Sequence, residues 1–200
     1  EPRMRARRTL IGAAVASASL GLTPYRASAR LTASPHVLPA SSAIGDGDFV
    51  PAPVAWLRLV ERFPHLHPGK HSLHRMASTK EHEVQLNRVQ SHVNQTVRFD
   101  RESRDLWQPA TLSGDCEDFA ILKLEILTQD YGWPRGALTL AVCRAETGQG
   151  HAVLLAHTRR GVYVLDNRRR SVLPWRALPY RWIAREEPGS PFALWRAIKA

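Results

Sequence analysis

Cysteine is almost missing from this chain: two residues in 200, Cys116 and Cys143. So few thiols exclude a disulfide-rich scaffold, and no Cys-pair zinc motif is present. No phosphate-cradling glycine loop and no dinucleotide fingerprint occurs either. Internal repeats are absent, which excludes a repeat array. No apolar run reaches the length of a clear membrane span. Acidic residues are the minority, 18 against 28 Lys and Arg, for a formal charge of +10. Apart from Arg168-Arg169-Arg170, which reads as a solvated loop, the basic residues outside the N-terminus are scattered. That is not the concentrated patch of a nucleic-acid binder.

What is present is a globular composition, 44% hydrophobic with six Trp, and length for one domain with a core. Arg3, Arg5, Arg7 and Arg8 precede an apolar stretch from Thr9 to Leu22, then Ala27-Ser28-Ala29. This is the layout of a secretory signal with an A-x-A cleavage site, so residues 1–29 read as a signal peptide and the protein as exported. Arg7-Arg8 also allows a twin-arginine signal, and a short membrane anchor is the alternative. Cleavage after Ala29 removes five Arg and one Glu and lowers the net charge from +10 to +6. Residues 30–53, rich in Pro, Ser, Ala and Gly, read as an extended lead-in with little regular structure. Residues 54–200 are the expected domain.

Helices are predicted over Val54–Phe63, between Pro53 and Pro64, and from about Thr79 to Val97. In the second, Leu86, Val89, Val93 and Val97 form one apolar face. His65, His67, His71 and His74 cluster between them without a completing carboxylate or thiol, and read as surface residues. A third helix follows Gly114. Its apolar residues lie on most sides, implying burial on two faces, and Gly132 and Pro134 end it. Strands are expected at Leu138–Arg144, His151–Thr158 and Val162–Asp166, with a hairpin turn at Thr158-Arg159-Arg160-Gly161. A fourth is expected near Tyr180–Ala184. The tail, Phe192–Ile198, reads as a short amphipathic helix.

The chemistry concentrates at Gly114-Asp115-Cys116-Glu117-Asp118-Phe119-Ala120. Cys116 falls in the first turn of a helix, where unpaired N–H groups and the dipole favour a thiolate. A nucleophilic thiol needs a base, and the base needs a group to fix its tautomer. His151 opens one strand and Asp166 closes the next. A turn centred between Thr158 and Arg159 would set them opposite each other; one centred on Arg160 would offset them by three. The competing reading of the two cysteines is a single Cys116–Cys143 disulfide. Asp115, Glu117 and Asp118 put negative charge beside a thiol whose ionisation they oppose, which a divalent cation would neutralise.

These residues resemble the bacterial transglutaminase-like cysteine proteinases. The likeness covers Leu86 to Trp182. It rests on Gly-Asp-Cys-Glu-Asp-Phe-Ala, the Gly-His that opens an apolar strand, and Val-Leu-Asp-Asn after the hairpin. Asn87, Asn94, Arg98-Phe99 and Trp107-Gln108-Pro109 resemble the family's lead-in in shortened form. The resemblance implies an α+β, papain-like fold of the transglutaminase type, with the nucleophile at the N-terminus of a central helix packed on an antiparallel sheet. It implies Cys116 as nucleophile, His151 as base and Asp166 as orienting carboxylate. LapG-type members are periplasmic endopeptidases that release a large surface adhesin by cutting it near its N-terminus, at a double-alanine site. They are restrained by an inner-membrane receptor for cyclic di-GMP. Several bind Ca²⁺ through acidic residues matching Asp115 and Glu117, with Asp118 beside them; the alternative role of Glu117 and Asp118 is to complement the helix N-terminus. Competing functions are a transglutaminase or amidase on the same triad, a non-catalytic exported binding module and, more remotely, a polyanion binder.

Overall fold

The computed structural model describes residues 38–69, 73–101, 105–188 and 194–199. The expected signal peptide, the first part of the lead-in, and His71 lie outside them. The order is β1 (Gly45–Val50), α1 (Val54–Arg62), α2 (Lys80–Thr96), β2 (Arg98–Phe99), β3 (Ser113–Gly114) and α3 (Cys116–Gln129). Then come β4 (Leu138–Arg144), β5 (Gly150–Thr158), β6 (Gly161–Leu165), β7 (Leu173–Pro174), β8 (Arg181–Glu186) and β9 (Trp195–Lys199). Seven strands make one antiparallel sheet in the order β1-β9-β8-β4-β5-β6-β7. The short β2 and β3 pair in parallel elsewhere. This is the expected α+β arrangement, with a helix headed by Cys116 against an antiparallel sheet.

The helices form where local chemistry directs. Thr79 Oγ1 accepts the His82 N–H and caps α2. Leu86, Val89 and Val93 then bury one face of it. In α3, Phe119, Ala120, Ile121, Leu124 and Leu127 are buried, because α2 covers one side and β5 the other. Gly132, at φ +66°, reverses the chain after α3, a conformation that suits glycine. The core has two halves. One lies under the helices and holds Trp56, Leu124 and Trp195; the other lies across the sheet and holds Val153, Trp175 and Trp182. Every residue of β5 after Gly150 is therefore buried.

Two expectations fail. The lead-in is not merely extended, because Gly45–Val50 is an edge strand paired with β9. Its Gly-Asp-Gly-Asp allows a close approach: a Cβ at Gly45 would lie 2.7 Å from the Lys199 carbonyl oxygen, and one at Gly47 2.9 Å from the Ala197 Cβ. The tail is the strand β9, not a helix. Trp195 and Ile198 are three apart, a helical spacing, but they serve opposite halves of the core. Opposite parity on a strand satisfies both.

A buried ion pair knits the helical side to the sheet. Glu186 Oε1 accepts from the Trp56 indole at 2.6 Å and from Arg135 at 2.7 Å, while Oε2 accepts the Leu140 N–H at 2.7 Å. Arg135 also donates to the carbonyls of Leu66 and Leu138. Both charges are fully engaged, as burial demands.

Candidate active site

Cys116 is the first residue of α3, and the approach to it is fixed by several contacts. β3 is held by β2, with the Asp100 N–H on the Gly114 carbonyl at 2.8 Å. Gly114 is close to Asp118: a Cβ there would sit 2.7 Å from its side chain. Asp118 Oδ2 accepts the Asp115 N–H at 3.3 Å, and Oδ1 accepts the Gln108 N–H at 3.1 Å. The Asp118 carbonyl accepts the Ala110 N–H at 3.2 Å. One carboxylate thus caps the helix and draws the 108–110 segment to its start.

The β5–β6 hairpin supplies the other two residues. Thr158 pairs with Gly161, so the turn is centred between Arg159 and Arg160. That is neither of the two registers considered from sequence: extended to the strand ends, it offsets His151 and Asp166 by two. An even offset keeps both on one face. His151 Nε2 lies 2.8 Å from Asp166 Oδ1, with both side chains buried. An ionised carboxylate can only accept, so Nε2 carries the proton and Nδ1 is left as the basic nitrogen.

Asp166 is held from three more sides. Oδ1 accepts the Arg168 N–H at 2.9 Å, Oδ2 accepts the Tyr180 hydroxyl at 2.5 Å, and the Arg169 guanidinium is 4.0 Å away. Burial alone would push its carboxyl up, but the His151 pairing, the Tyr180 hydroxyl and the Arg168 amide outweigh burial and hold it below the usual carboxylate range. Tyr180 also sets its ring edge-on to His151, with centroids 5.6 Å apart. Sequence reasoning placed Tyr180 only in a strand. Its contact depends on the 166–180 connection folding back over the sheet, which no local pattern signals.

Cys116 is half-buried and unpaired, as is the buried Cys143, so the described thiols form no disulfide. Cys143 sits opposite His151 on β4. The Cys116 thiol donates to Glu117 Oε2 at 3.1 Å, and the Ala152 N–H, next to His151, reaches the sulfur. Here the expected thiolate is opposed. Burial first, then the Glu117 carboxylate and, more weakly, Asp115, drive the thiol well above its ordinary range, against the pull of the Ala152 amide.

The carboxylates at the helix start are themselves in tension. Burial, then the neighbouring Asp115, pushes Glu117 up to about 8. Asp115 Oδ1 is buried with no hydrogen-bond partner among the described residues. Asp118 is occupied by backbone N–H groups. Two crowded carboxylates with an orphaned oxygen are the hard donors that suit Ca²⁺. Among the described residues no group of three or more His, Cys, Asp or Glu is gathered as a metal site.

Residues 46–200 match the family described as bacterial transglutaminase-like cysteine proteinase, BTLCP. The chain belongs to that family of cysteine peptidases. No curated protein matches it significantly. Among solved structures, calcium-bound LapG of Legionella pneumophila is similar at 27% identity and a TM-score of 0.50, over 57% of this chain and 68% of that one. LapG of the same organism is 28% identical with a TM-score of 0.46, over 51% of this chain and 62% of that one. Its EGTA-treated form gives 28% and 0.46, over 51% and 61%. The chain therefore spans about three fifths of LapG's length in two of these three comparisons. No helix among the described residues is long and apolar enough to cross a membrane.

Proposed function

We propose that the protein is an exported cysteine endopeptidase with Cys116 as nucleophile, His151 as base and Asp166 as the orienting carboxylate. The observation that carries this reading is the 2.8 Å contact of His151 Nε2 with Asp166 Oδ1, beside a cysteine that heads a helix and touches the Ala152 amide. Asp166 holds the imidazole tautomer, and Nδ1 takes the thiol proton once the thiol leaves Glu117. The sulfur then attacks a peptide carbonyl. The Cys116 N–H, with a donor from Trp107-Gln108, stabilises the oxyanion. His151 returns its proton to the leaving amine, and water releases the acyl-enzyme.

Asp115 and Glu117 would hold Ca²⁺, with Asp118 supporting them through the helix cap. When bound, the ion supplies positive charge that offsets the two carboxylates beside the thiol. Likeness to a calcium-bound LapG and the orphaned Asp115 Oδ1 support this. The natural substrate is a large surface adhesin cut near its N-terminus at a double alanine, in the periplasm. The regulator is an inner-membrane receptor for cyclic di-GMP. Family membership and the N-terminal Arg-rich and apolar segments support these assignments. The test is proteomics of shed surface proteins from wild-type and Cys116→Ala cells. A high-molecular-weight adhesin retained only in the mutant is expected. An unchanged shed profile refutes the adhesin substrate, and crosslinking of a lysine donor without cleavage replaces hydrolysis by acyl transfer.

A further inference from the structure

Behind Asp166 runs a buried polar chain that the hydrolytic steps leave unused. Asp166 lies one residue past β6, where the ladder ends and its backbone groups need other partners. Gln90 of α2, itself fully buried, supplies them as a neighbouring strand would. Its Oε1 accepts the Asp166 N–H at 3.1 Å, and its Nε2 donates to the Asp166 carbonyl at 2.7 Å and the Arg169 carbonyl at 2.6 Å. Asn94, one turn along, donates to the same two carbonyls at 3.0 and 2.9 Å. Lys123 of α3 completes the chain: its Nζ donates to Gln90 Oε1 at 2.9 Å, with the side chain wholly enclosed.

Lys123 makes the amide's orientation unique. Turned over, the Gln90 NH₂ would face two donors, the amine and the Asp166 N–H, and its oxygen would face two carbonyls. The amine is a costly choice. Burial pushes it down to about 7, only partly offset by the Asp166 charge. A methionine of similar volume would pack there without that cost, so stability alone does not account for an amine at this position. Lys123 also lies seven residues after Cys116, two turns along the same face of α3. One helix therefore carries the nucleophile at its start and the brace of the distant carboxylate in its middle.

We propose that Lys123 and Gln90 are positioning residues for the reaction, fixing the Asp166 backbone and, through the carboxylate, the plane of the His151 ring. The proposal rests on the triad reading above. The test uses the full chain and three variants, Lys123→Met, Gln90→Met and Asp166→Asn. The readouts are the melting temperature, the rate of Cys116 alkylation by iodoacetamide followed by peptide mass spectrometry, and the proton resonance of the His151 ring N–H. Lys123→Met is expected to keep or raise the melting temperature, to slow alkylation about tenfold and to move the ring N–H resonance. Gln90→Met moves the same two readouts further. A folded Lys123→Met with wild-type alkylation and resonance overturns the proposal. So does a variant that loses melting temperature and rate together while the resonance stays put, for then Lys123 is a packing residue. Should Asp166→Asn itself leave resonance and rate unchanged, the triad reading fails, and this one with it.

Discussion

Glu186 and Glu117 are both buried carboxylates, yet their surroundings are opposites. Glu186 has a guanidinium, an indole N–H and a backbone N–H, so both oxygens are satisfied. Glu117 has a thiol for a partner and another carboxylate beside it, and is pushed up to about 8 by burial and then by Asp115. The first arrangement joins α1 and the turn after α3 to β4 and β8. The second joins nothing and spoils the nucleophile's ionisation. Buried charge that is fully compensated marks a structural joint, whereas buried charge left short marks a place where something else must arrive or move.

Mutation should separate the two regions sharply. Cys116→Ala is expected to reduce peptide cleavage by about 10³-fold or more while leaving the melting temperature near wild type; residual cleavage within tenfold of wild type would remove Cys116 from the chemistry. Glu186→Ala should act the other way. It orphans the Arg135 charge and costs about 3–5 kcal/mol in urea unfolding. Glu117→Gln, by contrast, relieves crowding and should leave metal-free stability unchanged or raise it. Equal losses at the two glutamates would erase the contrast.

Calcium sharpens it further. At about 100 times the dissociation constant, Ca²⁺ should stabilise the wild type by about 2.7 kcal/mol, and chelation should reverse the gain. Asp115→Asn/Glu117→Gln should show no gain, and a wild type whose melting curve ignores both calcium and chelator would exclude the ion.

The two ends of β5 differ in the same way. His151 meets a carboxylate, whereas His157 Nε2 lies 2.8 Å from the Thr139 hydroxyl. Burial, then Arg185, Arg75 and His74, pushes His157 down to about 3. The unfolded chain takes up this proton near pH 6.5 and the folded one does not, so stability falls as pH drops through that window. The loss is about 2 kcal/mol between pH 7 and pH 5. His157→Gln should flatten that limb in pH-dependent unfolding; an unaltered slope would assign it to other groups.

The three helices, the central strands and the sequence positions of Cys116, His151 and Asp166 were legible because each rests on a local signal: a cap, a period, a turn dipeptide. The electrostatic conflict at Asp115 and Glu117 was also readable, since adjacent residues at a helix start cannot avoid each other. What escaped depends on distant pairing. The hairpin register differs by one residue in its turn, and period alone does not select it. Tyr180 reaches Asp166 only because the chain recrosses the sheet, and Gln90 reaches it only because α2 lies over the end of β6. The β9 strand was misread because a spacing of three fits a helix as well as two faces of a strand.

The placement of β9 between β8 and β1 bears on how the chain is made. An early strand has its seat only on a late one, so β1 must wait, undocked, until residues 195–199 have been synthesised. Removing those few residues would strip both the edge of β8 and the dock of β1. Completion of the sheet is thus postponed until the last of its described strands has been synthesised, so the edge next to β8 stays open while the rest of the sheet can already pair.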